Sequence, residues 1–284
     1  MTETFPEKTH STREDAGESL APVRRFPADT LIKAAPGVIA GFSTALPPGT
    51  DRVLAGQVSR LLNEWLPEVS VNPLLLAQYH SARVLETGAG GSGVVDGEGD
   101  AYAANGSSRL TGDGVWGRRG DGRLLVVKTA DCVPVLALHP ELGVHAALHA
   151  GWRGAAAGIL PHLLNLWKRA GGNPAGVHLA FGPHIRGCCY EVGPECVEAF
   201  QPGHLNDAVT RPNGKPHLSL ARVLANQAEE AGVPAAQVDP GGPCTRCHVD
   251  AQGDAPFASY RRDGAQGGRP GARNVSFIAL LPQP

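Results

Sequence analysis

Apolar positions divide the chain into short blocks with two different periodicities. Six blocks of mostly apolar, often β-branched residues predict strands; they read VIAGFS, LLVVK, VPVLAL, VHAALH, VHLAF and NVSFIALL. The segment LLLAQYHSARV also predicts a strand, over Gln78 to Val84. Apolar residues recur at helical spacing in TDRVLAGQVSRLLNEWLP, AAAGILPHLLNLWKRAGG and SLARVLANQAEEAG. Thr50 is a candidate N-cap for the first helix, and Pro161 predicts that the second is kinked or begins late.

Strands and helices alternate irregularly along the chain, which predicts an α/β protein of the α+β type with mixed sheets and flanking helices. No linker divides the chain, so we expect one domain from residue 28 to 284. The polar, aperiodic segment from Met1 to Pro27 predicts a disordered N-terminal lead. The glycine-rich run GAGGSGVVDGEGDAYAANGSS predicts an exposed excursion that packs no core.

Composition narrows the possible functions only modestly. The 284 residues are 42% hydrophobic and carry a formal net charge of −2, which does not favour nucleic-acid binding through bulk basicity. No apolar run approaches the roughly 20 residues of a membrane span, and the N-terminus lacks the apolar core of a signal peptide. We therefore expect a cytoplasmic protein whose six cysteines are reduced thiols or metal ligands.

Two strand blocks bring a cysteine and a histidine toward each other. The blocks VPVLAL and VHAALH flank the turn sequence HPELG, which predicts a hairpin. If the turn centres on Pro140 and Glu141, paired residues have numbers that sum to 281, and Cys132 then lies opposite His149. Opposed residues have Cβ atoms about 4.5–5.5 Å apart, close enough to share a zinc ion. A five-residue loop would instead put the two side chains on opposite faces.

A third ligand is needed for such a site, and His80 is the candidate because it lies at the end of another predicted strand. Other interpretations of these residues remain open. Cys132 could be a small buried apolar residue, and each histidine could simply be hydrogen-bonded. Cys132 and His149 could also form a nucleophile–base pair, as in a cysteine hydrolase or amidase.

The segment CTRCH, Cys244 to His248, matches the C-x-x-C-H pattern of covalent haem attachment. Haem attachment follows export, which the N-terminus does not predict. The two cysteines could instead hold a second zinc with other ligands, or be redox-active. Cys188 and Cys189 are adjacent and do not readily form an unstrained disulfide with each other.

The chain resembles a known family in six motifs that occur in the family's order, namely QYHSARV, TADCVPVL, HAGWRG, GPHIRGCCYEVG, CTRCH and FASYRRDG. This is the multicopper polyphenol oxidase, or laccase-like, family, which includes purine nucleoside phosphorylases and the peptidoglycan editing factor. The resemblance runs from about Gly41 to Leu281. It implies His80, Cys132 and His149 as zinc ligands, and a fold of two mixed β-sheets sandwiched between helices.

The resemblance also implies an activity, either adenosine deamination or phosphorolysis of adenosine, inosine, guanosine or methylthioadenosine. The expected partners are thus a purine nucleoside and phosphate, with no nucleic acid and no membrane. Relatives that edit a wrongly incorporated amino acid in peptidoglycan precursors keep the cysteine hydrolase alternative open. Ala45 stands where many members carry arginine, so an anion held by that arginine would need another partner here.

Three protein ligands leave a zinc ion one open position, as in catalytic sites, where the metal activates water. In a deaminase that water would attack C6 of adenine. Two carboxylates are candidates for acid–base catalysis: Asp131, which in a strand would point away from Cys132, and Glu191. For phosphate we expect Arg153, in a turn that opens a helix, and Arg261. Tyr190 could stack on the base, whereas we interpret Trp152 as structural.

A copper-dependent polyphenol oxidase is a weaker alternative. A blue copper centre and a trinuclear cluster together consume many histidines, and the chain has 11 histidines, none in a His-x-His pair. The sole methionine is Met1, so the usual weak axial ligand of a blue copper site is missing. Zinc is therefore the expected metal, although copper could bind the same three ligands.

Overall fold

The computed structural model describes residues 23–46, 51–65, 67, 69–88, 93–96, 101–103, 110–264 and 271–283. The α-helices are α1 Asp29–Ala34, α2 Asp51–Trp65, α3 Trp152–Ala156, α4 Ile159–Arg169, α5 Pro194–Glu198 and α6 Leu220–Glu230. The strands are β1 Arg25–Pro27, β2 Val38–Ser43, β3 Asn72–Leu75, β4 Val84–Thr87, β5 Gly93–Asp96, β6 Ala101–Ala103, β7 Gly114–Arg118, β8 Arg123–Thr129, β9 Val133–His139, β10 Val144–Ala150, β11 His178–Phe181, β12 Val209–Thr210, β13 His217–Leu218, β14 Val238–Asp239 and β15 Asn274–Leu280.

The strands form two large sheets that each mix parallel and antiparallel pairs. The first has five strands in the order β1-β2-β15-β8-β3, and the second has eight in the order β14-β11-β9-β10-β7-β4-β5-β6. Strand β3 runs parallel to β8, and β4 runs parallel to β7. A separate two-stranded ribbon pairs β12 with β13.

Side chains that point alternately to the two faces of each strand let both sheets pack on each other and on helices, which gives four layers in the order helix, sheet, sheet and helix. One apolar cluster draws residues from the inner faces of both sheets, such as Leu125 from β8 and Leu136 from β9. The neighbouring residue Val135 points the other way, into a cluster with Leu163 of α4 and Leu224 of α6. A third cluster packs α2 on the outer face of the five-stranded sheet. The predicted mixed sheets with flanking helices, and the sandwich implied by the resemblance, are confirmed.

The β9–β10 hairpin forms as predicted, but its register differs. Its loop has four residues, Pro140 to Gly143, and His139 pairs with Val144, so that paired numbers sum to 283. The turn closes through the Gly143 amide, which donates to the Pro140 carbonyl at 3.2 Å, and Gly143 adopts a φ of 66°. The predicted sum of 281 is wrong because the loop is two residues longer. A shift of two residues keeps every side chain on its predicted face.

The predicted strand over Gln78 to Val84 is also wrong. Strand β3 ends at Leu75 and β4 begins at Val84, and the connection between them turns sharply, with His80 at a φ of 67°. This turn is held by a carboxylate from a distant part of the chain, described below.

Other predictions need adjustment at their boundaries. The chain is ordered from before Pro27, because Arg25–Pro27 pairs with β2, so the predicted lead ends too late; residues 1–22 lie outside the described part. Within the glycine-rich run, Gly93–Asp96 and Ala101–Ala103 form the last two strands at one edge of the eight-stranded sheet. Thr50 lies outside the described residues.

Two helix predictions are confirmed in detail. The predicted helical segment AAAGILPHLLNLWKRAGG divides into α3 and α4 at Gly158, whose φ is 81°. Pro161 therefore falls within the first turn of α4, where no intrahelical N–H is needed. Helix α6 begins after Ser219, whose hydroxyl accepts the Arg222 amide. None of the helices in the described part of the chain has the length and apolar content that a membrane span requires.

The buried seam between the sheets yields a stability prediction. Leu136 has no exposed surface and lies in the cluster between the two sheets. Leu136→Ala removes packing from both sheets and should lower the free energy of unfolding by about 2–5 kcal/mol in urea titrations. Ile32→Ala is the matched control, because Ile32 on α1 is 39% exposed. This variant should lower the free energy of unfolding by well under half as much. Equal losses in the two variants would contradict this assignment of the core.

Candidate metal centre and adjoining cavity

Three predicted ligands meet at one open end of the sandwich. His80 lies in the turn between β3 and β4, Cys132 directly precedes β9, and His149 is the second-last residue of β10. One donor atom from each lies within 4.8 Å of the others, and Cys132 Sγ is 3.7 Å from His80 Nε2. The hairpin places Cys132 and His149 diagonally rather than directly opposite. The structure thus brings together the three residues named from the sequence.

The carboxylate of Asp113 organises this end of the molecule. Its oxygens accept the backbone N–H groups of Tyr79, His80 and Ser81 at 3.1, 2.9 and 2.7 Å, and the Ser81 hydroxyl at 2.7 Å. His149 Nδ1 lies 2.8 Å from Asp113 Oδ1. An ionised carboxylate only accepts hydrogen bonds, so Nδ1 is the protonated nitrogen and Nε2 is left for a ligand. Histidines that bind metals are commonly held in this way.

Two residues at this end adopt backbone conformations that non-glycine residues rarely use. His80 has a φ of 67° and Asp131 a φ of 90°. The first is held by Asp113. Asp131 is held through its own side chain, which accepts the Thr245 hydroxyl and the Arg261 amide, each at 2.7 Å. Such strain persists where surrounding contacts enforce it, and it concentrates at functional sites.

Two glycines of the HAGWRG motif leave the space that the candidate ligands and the turn carrying His80 occupy. A Cβ atom on Gly151 would lie 2.7 Å from His80 Cδ2 and 3.0 Å from Cys132 Sγ. A Cβ atom on Gly154 would lie 2.7 Å from the Ser81 carbonyl oxygen. Close approach of the β10 end to the β3–β4 turn therefore requires glycine at both positions.

The protonation states of the cluster are shifted by these contacts. Burial by itself raises the pKa of the Cys132 thiol, but hydrogen bonds and charges from His149 and His80 outweigh it and lower that pKa from 9.0 to about 6. Burial lowers the pKa of His149, but Asp113 and Cys132 raise it from 6.5 to about 9. Near neutral pH, without a metal, the cluster therefore holds the Cys132 thiolate beside the His149 imidazolium. The two side chains can bind a cation once the imidazolium loses its proton.

A cavity of about 430 Å³ opens beside the cluster, between the ends of the two sheets. Its wall comprises Gln78, His80, Lys128, Ala130, Asp131, Cys132, His149, Tyr190, Tyr260, Arg261 and Arg273. Besides the two histidines, the wall contains three lysine or arginine side chains and two tyrosine rings. The cavity therefore combines a candidate metal site with positive charge and flat apolar surface.

The predicted substrate residues divide into those on the cavity wall and those away from it. Arg261 and Tyr190 both line the cavity, and the guanidinium of Arg261 lies 5.1 Å from the centre of the Tyr190 ring. Arg261 also donates to the Glu191 carbonyl at 2.9 Å. The exposed carboxylate of Glu191 instead accepts from Lys215 Nζ at 3.0 Å, so it is not part of the cavity wall.

Arg153 is not brought to the cavity. Its side chain is exposed, and its guanidinium lies 4.4 Å from the centre of the Trp152 ring. Helix α3, which the two residues begin, has only five residues. Trp152 is half-buried and packs on the core beneath the arginine.

Several wall and support residues were missed by sequence reasoning. Asp113 follows a glycine-rich segment and carries no motif of its own, so nothing local marks it. Gln78 belongs to the Q-x-H motif, and its side-chain amide bonds both the N–H and the carbonyl of Lys128 at 2.9 and 2.8 Å. Arg273 lines the cavity and its carbonyl accepts the Leu46 amide at 2.7 Å. Because Leu46 directly follows Ala45, Arg273 supplies a cation near the position where many family members carry arginine.

Comparison with known proteins places the chain in a family. A family model described as multi-copper polyphenol oxidoreductase laccase matches residues 53–280. Adenosine deaminase RL5, from an unidentified prokaryote, is 38% identical over 152 residues, which are 52% of this chain and 56% of that protein. The match thus spans just over half the length of that relative. Purine nucleoside phosphorylase YlmD from Geobacillus stearothermophilus is 32% identical over 241 residues, 82% of each chain.

The fold agrees with a solved relative. The crystal structure of YlmD from Geobacillus stearothermophilus superposes with a TM-score of 0.67 at 28% identity, covering 87% of this chain and 93% of that one. The family model and the length of the YlmD match together settle the membership that the six motifs indicated. The chain belongs to the multi-copper polyphenol oxidoreductase laccase family.

Proposed function

We propose that this chain is a zinc-dependent purine nucleoside enzyme, which deaminates adenosine and cleaves purine nucleosides with phosphate. The names of its relatives, purine nucleoside phosphorylase and adenosine deaminase, support a purine nucleoside enzyme of this family. The observation that carries the proposal is the His80–Cys132–His149 cluster, fixed by Asp113 at the wall of a cavity that also presents cations and aromatic rings.

The three side chains fit a zinc ion on chemical grounds. Two imidazoles and one thiolate are donors that zinc prefers, and three protein ligands are the number found in catalytic sites. Asp113 fixes the His149 ring, and Gly151 leaves the space between His80 and Cys132. When bound, the metal supplies Lewis acidity toward water or a substrate oxygen.

The remaining wall residues suit the two parts of a nucleoside and an anion. Tyr190 and Tyr260 offer ring faces on which a purine can stack, and the cations Lys128, Arg261 and Arg273 can bind phosphate oxygens. Burial raises the pKa of Tyr190, so its phenol stays neutral. Asp131 has both carboxylate oxygens engaged by Thr245 and Arg261, so we assign it a positioning role rather than proton transfer.

A second candidate is favoured by the lowered pKa of Cys132. A thiolate beside the imidazolium of His149 is the arrangement of a cysteine nucleophile and its base. The reaction would then be hydrolysis of an amide in a peptidoglycan precursor. Copper oxidase chemistry is supported less, because the groups of described residues that could hold a metal contain only two histidines in all, His80 and His149. The cytoplasmic location stays a prediction.

Metal analysis joined to an activity assay tests the proposed function. Purified wild-type protein should retain zinc at this cluster, and should convert adenosine to inosine or, with phosphate, to adenine. Cys132→Ala removes the thiolate ligand, so it should lose this zinc and both activities. Cys196→Ala is the matched control, because Cys196 is buried in α5 and is not part of the His80–Cys132–His149 cluster, and this variant should retain metal and turnover.

The opposite result is equally specific. If the cluster holds no metal, Cys132 alone is rapidly alkylated at pH 7 and purines are not turned over, the cysteine hydrolase candidate replaces the purine enzyme.

The phosphate-binding part of the proposal has its own test. Arg273→Gln removes a cavity cation and should raise the KM for phosphate by roughly tenfold or more, since a hydrogen bond to a charged group contributes about 1.5–3 kcal/mol. Its effect on deamination, which uses no phosphate, should be much smaller. Arg153→Gln should leave the KM for phosphate unchanged, because Arg153 lies on Trp152 outside the cavity. The reverse pattern would restore the role predicted for Arg153 from the sequence.

A further inference from the structure

Four cysteines form a second cluster outside the site described above. Cys188 and Cys189 lie in a turn after β11, and Cys244 and Cys247 lie in a turn after β14. Their four sulfur atoms all lie within 4.8 Å of one another. The two turns are more than fifty residues apart in the chain, so only the tertiary fold brings these thiols together.

The sulfur spacing matches a tetrahedral metal site. A zinc ion with four bonds of about 2.3 Å to sulfur has sulfur–sulfur edges of roughly 3.8 Å. Cys188 Sγ lies 3.7 Å from Cys189 Sγ and 3.7 Å from Cys247 Sγ. The remaining sulfur–sulfur distances are at most 4.8 Å, so the four sulfurs can close a tetrahedron around one ion by moving together by up to about 1 Å.

The backbone around Cys244 is arranged to stabilise a thiolate. Burial by itself raises the pKa of the Cys244 thiol, but the backbone N–H groups of Arg186, Cys247 and Arg246 beside the sulfur lower that pKa. Two of these donors follow Cys244 within its own C-x-x-C turn, and the third comes from the turn that carries Cys188. Hydrogen bonds from N–H groups to sulfur support metal–thiolate ligands by spreading their negative charge. Cys244 is 6% exposed, whereas Cys188 and Cys247 are exposed and leave a route for an ion.

We propose that Cys188, Cys189, Cys244 and Cys247 bind one Zn²⁺ ion as a structural site, separate from the His80–Cys132–His149 centre. Four protein thiolates close the coordination shell, which is typical of structural rather than catalytic zinc. Binding exchanges the thiol protons for the metal ion and needs no oxidant. This use accounts for the same two cysteines whose C-x-x-C-H spacing resembles a haem attachment motif.

The position of the cluster gives this zinc a definite role. Tyr190, on the cavity wall, directly follows Cys189. Thr245 directly follows Cys244, and its hydroxyl donates to Asp131, the residue before Cys132. An ion that joins the two turns would therefore fix both the aromatic wall of the cavity and the support of Asp131. We therefore assign these four cysteines a structural role, in which they hold the two turns beside the cavity together, and not a catalytic one.

The experiment uses the full chain with Cys132→Ala, so that the first site has no thiolate. After zinc is exchanged for Co²⁺, we expect intense visible d–d bands of a tetrahedral ion and near-ultraviolet thiolate-to-cobalt absorption. Metal analysis of the zinc form should give about one ion per chain. Adding Cys188→Ser and Cys247→Ser should abolish both signals, whereas adding Cys196→Ser, a buried thiol outside the cluster, should preserve them.

Two results would overturn the proposal. One is a Cys132→Ala protein that binds neither zinc nor Co²⁺ while its cluster thiols react freely with a thiol reagent. The other is a Cys188–Cys247 disulfide in protein purified under reducing conditions. If the triple variant misfolds, the Cys132→Ala protein alone decides, because its intact four-cysteine cluster should hold about one zinc ion per chain, and a count of none would overturn the proposal. The test reads metal content and Co²⁺ spectra rather than turnover. Loss of purine activity alone therefore neither supports nor overturns the four-cysteine site, and the test is independent of the proposed function.

Discussion

The buried carboxylate of Asp113 is the interaction on which the candidate site depends. A fully buried carboxylate is costly unless it is hydrogen-bonded, and Asp113 has three backbone N–H groups, one hydroxyl and one imidazole around it. Burial favours the protonated acid, but these donors, His149 first, lower its pKa from 3.8 to about 2. The contribution to stability is therefore fully present above pH 3.8 and is lost as pH falls through about 2.

That carboxylate is positioned by the sheet rather than by its own loop. The Asp113 carbonyl accepts the His149 amide at 2.6 Å, which continues the pairing of β7 with β10. Its side chain then draws in the turn that carries His80. At the same open end, Asp131 ties the segment before β9 to Thr245 and Arg261. The two sheets thus supply the frame, and two carboxylates attach to it the segments that carry His80 and Cys132.

The sequence predicts features that local patterns encode. Apolar blocks locate the strands, and Pro140 and Gly143 mark the hairpin, although the register depends on a loop length that these residues do not fix. The error was two residues, so Cys132 and His149 kept a common face and the prediction of their proximity held.

Features that depend on distant partners could not be predicted. Nothing near His80 shows that Asp113, thirty-three residues later, turns its backbone out of a strand. Arg153 has a reasonable local setting for binding phosphate, yet its guanidinium lies on Trp152. Likewise, the pairing of Cys188 with Cys247 arises only when the turns after β11 and β14 meet. The motifs point to the candidate metal ligands, whereas the tertiary fold decides which charges surround them.

The most direct test of this account is the zinc affinity of Asp113→Asn, measured by competition with a chromogenic chelator. Loss of the carboxylate that orients a metal-binding histidine should weaken zinc binding at the His80–Cys132–His149 centre by about 10–100-fold. Asp254→Asn, an exposed carboxylate outside both clusters, should leave the affinity unchanged. A folded Asp113→Asn protein that binds zinc as tightly as the wild type would contradict the account.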